Sequence, residues 1–342
     1  MKRTISLLLT TVAAACLCIT AGTAVAQDKK PIELRYTSGA PPTGNPWATQ
    51  INRIAKDVDE ESKGEFKVQP FFASSLGSEQ DTVQQVARGR IDMGGFSSGS
   101  AALLVPEIGL LVMPFYFKNT VEMDCVLDNH MTPMVADLFS KKGVQFLGWA
   151  EVGTIDYFGK KPYAVPKDMN GVKAIGYANK TSAMSNAALG ANSIPLGLPE
   201  WIPALQTGMA EVVASPITLA LPSGLTKVAT VATRIGLYNS ASLTLMNKGV
   251  YDKFSKTQQD MLVRALARNP SAKLRTEVRG FEGVLYGMHE KAGGTVVVPT
   301  QEQRDQFRKV MEPVYPEIVK ETGGSAPQFF AALETARKAC AK

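Results

Sequence analysis

The chain has 342 residues, of which 45% are hydrophobic and 20% are charged, and its formal net charge is +6 at pH 7. This is the composition of an ordinary globular protein, and the length is sufficient for two domains. The charges are interspersed and no basic stretch is interleaved with aromatic residues, so the composition argues against nucleic-acid binding.

The first 26 residues have the pattern of a secretory signal peptide. A basic start at Lys2 and Arg3 is followed by an apolar run and by a small-x-small cleavage pattern that ends at Ala26. We therefore expect residues 1–26 to be removed and the mature chain to work in the periplasm, where ATP is not available. Two alternatives stay open, a retained anchor and a lipidated Cys16. No later segment approaches about 18 uninterrupted apolar residues, so the mature chain should not span a membrane.

Strands and helices alternate along the first half of the mature chain. Period-two alternation predicts the first strand, and Asn45 followed by Pro46 is a helix cap with proline at the first helical position. The predicted order is strand 32–37, helix 47–62, strand 66–70, helix 78–87 and strand 91–94. This order favours a doubly wound sheet with helices on its faces.

The second half repeats the same plan. Its predicted order is strand 172–177, helix 181–189, strand 193–196, helix 199–206 and strand 211–214. Two pairs of residues lie at the same offset of 119 positions, Gly89 with Gly208 and Asp92 with Glu211. The two halves are therefore interpreted as copies of one α/β unit.

The last part of the chain is predicted to be mostly helical. Ser255-Lys256-Thr257-Gln258 resembles a capping box, and Asn269-Pro270 interrupts the helix that it opens. Further predicted elements are helix 272–291, strand 296–298, helix 300–322 and helix 327–341. The last two helical segments are expected to pack across both domains.

Few residues that support metal, nucleotide or redox chemistry are present. Two cysteines follow the signal segment, Cys125 and Cys340, and they are interpreted either as a disulfide or as two free thiols. The chain has two histidines, no zinc-ligand spacing and no phosphate-binding glycine pattern. We therefore expect no cofactor.

One short motif is typical of hydrolases. Gly95-Phe96-Ser97-Ser98-Gly99 fits G-x-S-x-G after a short strand, which makes Ser97 a candidate nucleophile and His289 its candidate base. Since His289 is predicted to lie in a helix, the alternative is a loop whose hydroxyls and amides face a cleft. An exported serine hydrolase therefore remains an alternative function.

Several fragments have the order and spacing typical of one family. They are Leu76-Gly77-Ser78, 87–93, 112–117, 162–173 and 189–208. Together they resemble the periplasmic solute-binding proteins of tripartite ATP-independent periplasmic (TRAP) transporters, of the dicarboxylate-binding type, over nearly the whole mature chain. The resemblance implies a two-domain α/β fold of the periplasmic-binding-protein kind (type II), with an interdomain cleft, and with hinge strands and a long bridging helix that join the domains.

The resemblance also implies a function. The solute binds in the cleft, the domains close over it, and the closed protein docks on a membrane permease driven by an ion gradient, with no covalent chemistry. Domain I is expected to comprise 27–150 and about 242–280, and domain II 151–241 and about 281–342. A binding protein of another permease class and a partner of a membrane receptor are alternatives with a similar plan.

The sequence departs from this family at the carboxylate clamp. The family usually has an arginine that holds the solute carboxylate through a two-pronged ion pair, and Ile175 stands at that position. The stretch 154–157 supplies no second arginine, and 214–216 reads Ala-Ser-Pro where the family usually has an acid. We therefore predict a neutral, apolar or aromatic solute, or a carboxylate held without a guanidinium.

The candidate cleft residues are those that the resemblance places at strand ends and turns. Phe96 and Trp149 could equally be core aromatics, and Glu151 could be a charge on a solvated rim. If Glu151 faces the cleft, it favours a cationic or hydroxylated solute. The candidates are Tyr36, Phe96, Ser97, Trp149, Glu151, Tyr177, Ser215, Tyr238 and Asn239.

Overall fold

The computed structural model describes residues 30–341, so the predicted signal peptide lies outside the described residues. The strands are β1 (Ile32–Ser38), β2 (Phe66–Phe71), β3 (Met93–Ser97), β4 (Val144–Gly159), β5 (Lys173–Gly176), β6 (Asn192–Pro195), β7 (Val212–Pro216), β8 (Val231–Asn247) and β9 (Thr295–Val297). No helix within the described range has both the length and the apolar character needed to cross a membrane.

The helices occupy both faces of the sheet and much of the C-terminal part. They are α1 (Pro46–Glu61), α2 (Glu79–Ala87), α3 (Ser98–Ala101), α4 (Thr120–Val126), α5 (Thr132–Ser140), α6 (Lys180–Ala188), α7 (Trp201–Thr207), α8 (Ile217–Ala220), α9 (Lys248–Tyr251), α10 (Lys256–Ala267), α11 (Ser271–Lys291), α12 (Gln301–Met311), α13 (Tyr315–Thr322) and α14 (Ala326–Cys340). Short 3-10 segments lie at Pro106–Val112, Pro166–Met169, Leu198–Glu200, Leu225–Lys227 and Glu312–Val314, and a π turn at Leu127–Met131.

The sheet is built from two copies of one topology. Its strand order is β2-β1-β3-β8-β4-β7-β5-β6, with β9 beside β8. In one copy β1 lies parallel between β2 and β3, and in the other β5 lies parallel between β6 and β7. We call the described residues before β4 lobe I and those between β4 and β8 lobe II. The predicted duplication of an α/β unit is confirmed.

The residues that carried the sequence repeat have equivalent roles in the two copies. Gly89 and Gly208 both end a helix in the left-handed region, with φ of +71° and +74°, which glycine adopts without steric cost. Asp92 accepts the N–H of Arg35 in β1 at 2.8 Å, and Glu211 accepts the N–H of the first residue of β5 at 3.0 Å. Since Asp92 is used in this way, β3 begins two residues later than predicted.

Two long antiparallel strands, β4 and β8, connect the lobes. They have 16 and 17 residues and run along both halves of the sheet. The family resemblance implied hinge strands, but the sequence patterns predicted the bounds of neither. Their pairing shifts register between Phe146 and Gly148, between Glu151 and Gly153, and between Ile155 and Tyr157. Such irregularities bend a strand and re-aim its side chains, so this pair has the construction expected of a hinge.

Helix α11 bridges the two halves along β4, as predicted for a long helix at 272–291. Its polar residues recur on one face, and each contacts a polar residue of β4. The pairs are Arg279 with Glu151, Glu282 with Thr154, and Tyr286 with Asp156. Burial raises the pKa of Asp156 to about 6, although the bonds from Tyr286 and a backbone N–H oppose the shift.

The C-terminal helices α12 to α14 pack on both lobes. The predicted single helix at 300–322 is two helices, because Pro313 lies in a 3-10 turn between them. Cys340 at the end of α14 forms a disulfide with Cys125 of α4, and their Cα atoms are 5.9 Å apart. The disulfide therefore ties the C-terminus to lobe I.

We expect protein that begins at Gln27 to show no free thiol when it is denatured without reductant and two after reduction. The bond closes a loop with a sequence separation of 215 residues, and removing such a bond typically costs about 2–5 kcal/mol of stability. The Cys125→Ser/Cys340→Ser double variant should lose this amount in urea unfolding. Two titratable thiols in the unreduced protein would contradict the bond.

Candidate functional site

A cleft lies between the two lobes, and two small cavities remain within it. Each has a volume of about 50 Å³, which is room for a few water-sized groups. The polar and aromatic residues of the first cleft cavity are Asn45, Trp47, Glu79, Gln80, Ser97, Ser100, Tyr177, Trp201 and Ser240. Lobe I provides most of the polar groups, and lobe II provides Tyr177 and Trp201.

The lobes contact each other directly across this cleft. Three side-chain amides donate to backbone carbonyls of the opposite lobe at 2.8–2.9 Å. The pairs are Asn45 with Thr218, Gln80 with Leu196, and Asn179 with Gly99. Asn45 is 6% exposed and also caps α1, so the residue that begins the helix also holds the lobes together. The structure is therefore that of a closed cleft.

Glu79 is the carboxylate of the first cleft cavity. Ser78 caps α2, which places Glu79 at the first residue of that helix and directs it toward β3. Its Oε2 accepts the N–H of Ser97 at 3.2 Å, the Oγ of Ser97 at 2.6 Å and the Oγ of Ser100 at 2.9 Å. Burial raises the pKa of Glu79, while these three donors oppose the shift. Oε1 has no hydrogen-bond partner within residues 30–341, so it remains available to a ligand.

Ser97 does not form a catalytic pair with a histidine. Its Oγ donates to Glu79, and its partner hydroxyl is Ser100 at 3.1 Å. His289 lies on α11, with Nε2 3.1 Å from the carbonyl oxygen of Thr230. The hydrolase interpretation of G-x-S-x-G is therefore wrong, and the alternative of hydroxyls and amides that face a cleft describes the segment.

Tyr177 and Trp201 form the wall between the two cleft cavities, since both line each of them. The ring of Tyr177 packs on Gly99, where an added Cβ would lie 2.5 Å from the ring, so only glycine allows this approach. The second cleft cavity also contacts Ile175 and Tyr238. Burial raises the pKa of the Tyr177 hydroxyl above its usual range.

The cleft has an unusual charge distribution. Neither cleft cavity is lined by an arginine or a lysine of the described chain, and Glu79 is the only carboxylate on either. Ile175 is 5% exposed and pairs with Ile194 and Val213 in the sheet. The position of the predicted missing arginine is thus an apolar part of the wall.

Three predicted aromatic residues lie in the core rather than on the cleft cavities. Tyr36 and Phe96 have no exposed surface, and the hydroxyl of Tyr36 lies 3.4 Å from Oγ1 of Thr244. Trp149 donates its Nε1–H to Oγ1 of Thr132 at 2.8 Å. These side chains support the floor beneath the cleft but do not line it.

The remaining predicted residues have different positions. Glu151 is fully buried in an ion pair with Arg279, and Ser215 is fully buried with its hydroxyl 3.2 Å from the carbonyl oxygen of Pro216, so neither lines a cleft cavity. Tyr238 borders the second cleft cavity and, together with Asn239, a separate cavity behind β8. The structure therefore brings Ser97, Tyr177 and Tyr238 to the cleft.

Other cleft residues were not predicted as site residues. Asn45, Glu79 and Gln80 lie at the first turns of helices that follow β1 and β2, and Trp47 and Trp201 lie in first turns as well. In α/β sheets, ligands bind beyond the carboxyl ends of the strands, where these helices begin. The sequence did contain a signal for these cleft residues, namely the helix caps beside them. The caps were interpreted only as the boundaries of helices.

Two α/β lobes that close on a cleft and are connected by a pair of long strands have the architecture of a solute-binding protein. The chain matches the family described as bacterial extracellular solute-binding protein, family 7, over residues 37–322, and it belongs to that family. The predicted family, that of TRAP solute-binding proteins, is confirmed, and so is the prediction that the chain is a transport protein rather than an enzyme.

Known proteins are similar over most of the chain. A solute-binding protein of Verminephrobacter eiseniae (strain EF01-2) is 28% identical over 277 residues, or 81% of this chain and 82% of the relative. The 2,3-diketo-L-gulonate-binding periplasmic protein of Escherichia coli (strain K12) is 27% identical over 241 residues, or 70% and 73%. The structure of a sugar acid binding protein from Advenella mimigardefordensis strain DPN7T in complex with galactonate aligns with a TM-score of 0.84 and 24% identity, over 91% of this chain and 100% of that one. The predicted fold class is therefore confirmed.

Proposed function

We propose that this chain is the periplasmic solute-binding component of a TRAP-type transport system. It captures a small organic solute by closure of the two lobes and delivers it to an ion-driven membrane permease. The family match, the closed cleft and the signal pattern at the N-terminus support this assignment. Closure shifts the population toward a form that gains contacts from both lobes.

The lobes are proposed to move as the domains defined above, 27–150 with about 242–280, and 151–241 with about 281–342. The register shift between Glu151 and Gly153 falls at this boundary in β4, and Ser240 is opposite Gly153 in β8. A hinge needs a few residues that absorb the backbone change, and Gly153, with φ of +113°, is suited to it.

The solute is proposed to be a compact neutral or cationic molecule with hydroxyl or ammonium donors and an apolar face. One observation carries this proposal: the cleft cavities present the carboxylate Glu79 and aromatic walls, and no lysine or arginine of the described chain lines them. The named relatives include proteins for galactonate and diketogulonate, which are carboxylates. A carboxylate placed beside ionised Glu79 in a dry cleft would be repelled.

The protein is purified, then unfolded and refolded to remove bound solute. In a thermal-shift screen we expect neutral or cationic solutes with hydroxyl or ammonium donors to stabilise it. The library should include mono- and dicarboxylates, sugar acids, polyols, amines and aromatic compounds. A ligand at 100 times its Kd contributes about 2.7 kcal/mol, which raises the Tm by several degrees. If dicarboxylates or sugar acids give the largest shift, the proposed solute class is wrong, although the transport assignment would stand.

A matched pair of variants checks the position of the site in the same assay. Tyr177→Ala removes a wall of both cleft cavities and should lower the solute affinity at least tenfold, while Ser215→Ala alters a hydroxyl that bonds only its own segment and should leave the affinity unchanged. Equal affinities for the two variants would place the solute elsewhere.

A further inference from the structure

A further cavity, distinct from the two cleft cavities, lies outside the cleft beside β4 and β8. Its charged lining is mostly positive, whereas the charged residue of the cleft cavities is Glu79. It has a volume of about 390 Å³, and its walls are the 115–120 segment of lobe I, parts of β4 and β8, and α12. We call it the basic cavity, since its charged lining residues are Lys118, Arg234, Arg304, Arg308 and Asp156.

The cations that line the basic cavity outnumber its acids. Arg234 stacks on the ring of Tyr286 with its guanidinium 4.4 Å from the ring centre, and neither it nor Arg304 forms an ion pair within the described residues. Arg308 has a partner on its own helix, Asp305, at 3.5 Å. All three guanidinium groups belong to half-buried residues.

The acid in the basic cavity is already occupied. Asp156 accepts the N–H of Gly236 at 2.7 Å with one oxygen and the hydroxyl of Tyr286 at 2.5 Å with the other, and it is 2% exposed. Glu282, behind this wall on α11, is similarly occupied by Thr154. Asp156 and Glu282 are still close enough to Arg234 to offset its charge. The excess positive charge therefore lies at Lys118 and Arg304, for which the described residues provide no ion pair, and an added anion would compensate it.

Two further features make the basic cavity a suitable site. Asn239 lines it, with Oδ1 buried and without a partner and Nδ2 at 3.5 Å from Oγ1 of Thr154. A rotation of this amide directs two N–H donors to the place of the unpartnered oxygen. Phe115, in the wall, has φ of +59°, a strained conformation of the kind found at functional sites.

We propose that the basic cavity binds a small oxyanion, a phosphate or a di- or tricarboxylate, between lobe I and the β8–α12 side of the molecule. Planar guanidinium groups bind phosphate and carboxylate oxygens in two-pronged geometry. The bound anion bridges Lys118 of lobe I to Arg304 and Arg308 of α12, and thereby ties together elements on the two sides of the hinge. This site is separate from the cleft and does not depend on the proposed solute class.

The test is titration of the refolded protein with inorganic phosphate and, separately, with citrate, read by isothermal calorimetry and thermal shift. Sodium chloride at matched ionic strength corrects for general screening. We expect saturable binding at one site, weakened about tenfold or more by Arg304→Ala, since a charge-assisted pair is lost. Arg264→Ala, on the exposed face of α10 with a 3.6 Å contact to Glu61, is the control and should bind like the parent.

Three results would overturn the inference. The first is no saturable effect beyond that of sodium chloride, and the second is unchanged affinity in Arg304→Ala. The third is an anion affinity that depends on Glu79 rather than on these cations, which would place the ion in the cleft.

If Arg304→Ala does not fold, the exposed Lys118→Ala variant is measured instead. An anion affinity of Lys118→Ala equal to that of the parent would contradict the site. These anion measurements do not depend on the solute screen, so a failed screen would not change their interpretation.

Discussion

Replacing Arg279 with methionine should lower the free energy of unfolding by about 1–3 kcal/mol at pH 8. Glu151 is fully buried, and Arg279 holds both of its oxygens, at 2.8 and 2.6 Å. The nearest remaining cation, the Nε of Arg275, is 3.9 Å away. Arg279 also binds Asp124, at 2.7 and 2.8 Å. Removing Arg279 therefore weakens the compensation of two carboxylates, of which Glu151 is the buried one, and Glu151 takes up a proton where its pKa exceeds the pH.

Urea unfolding of three variants separates this cost from lost packing. The double variant Glu151→Met/Arg279→Met removes both charges and should recover part of the loss, because apolar pairs often replace buried ion pairs without penalty. The rest of the loss belongs to Asp124, which keeps its 3.3 Å contact with Arg275. Arg264→Met removes an exposed pair and should change the stability by about 0–1 kcal/mol. A loss below about 1 kcal/mol for Arg279→Met at pH 8 would show that Glu151 is not ionised in the folded protein.

The same variant should respond to pH in a definite direction. Burial raises the pKa of Glu151 to about 7 in spite of Arg279, whose charge lowers it, so without Arg279 the pKa rises further. A carboxyl whose folded pKa is above its unfolded value contributes stability at low pH that is lost as the pH rises through the folded pKa. The difference between Arg279→Met and the parent should therefore be smaller at pH 5 and should grow as the pH rises above about 7.

The parts of the fold that the sequence predicted are those with local signals. Gly89 and Gly208 end equivalent helices because each needs a left-handed conformation, and Ser255 with Gln258 forms the predicted capping box at 2.8 and 3.3 Å. Turn and cap chemistry acts over a few residues, so one sequence is enough to detect it. The duplicated α/β topology followed directly from these boundaries.

The family resemblance implied hinge strands, but their positions were not predicted because the signal in the sequence is not local. Side chains of a regular strand alternate between its two faces, but β4 shifts register three times, and Gly148 and Gly153 have positive φ. After each shift the alternation of side chains between the two faces changes phase. The sequence alone therefore cannot decide on which face of the sheet Trp149 and Glu151 lie. Both are directed away from the cleft cavities, Trp149 toward Thr132 and Glu151 toward α11.

Glu79 was missed for a different reason. An acid in the first turn of a helix is ordinarily a favourable partner of the helix dipole and faces solvent. Glu79 instead folds back onto Ser97 and Ser100, which lie 18 and 21 residues further along the chain at the end of β3, and only the tertiary structure brings these groups together. The sequence therefore identified Ser97 as a polar group facing a cleft but gave no indication of the carboxylate that it holds.

Replacing Glu79 with glutamine should reverse the charge preference of the cleft. Solutes that donate through a hydroxyl or ammonium should bind about tenfold to a hundredfold more weakly, since a hydrogen bond to a charged acceptor is worth about 1.5–3 kcal/mol. Carboxylate solutes should bind more tightly, because the variant removes the negative charge on the described lining of the cleft cavities. Calorimetric titration of one solute of each kind measures both changes, and Asp81→Asn, an exposed acid two residues along the same helix, is the matched control.

The pH dependence provides the decisive comparison for Glu79. Burial raises its pKa, so in the parent protein a fall in pH toward that pKa adds a proton and makes the carboxyl neutral. Carboxylate solutes should then bind more tightly to the parent at low pH, while the affinity of Glu79→Gln should stay constant as long as the solute itself remains ionised. If the parent and the variant show the same pH profile, the proton is taken up elsewhere and Glu79 does not select the charge of the solute.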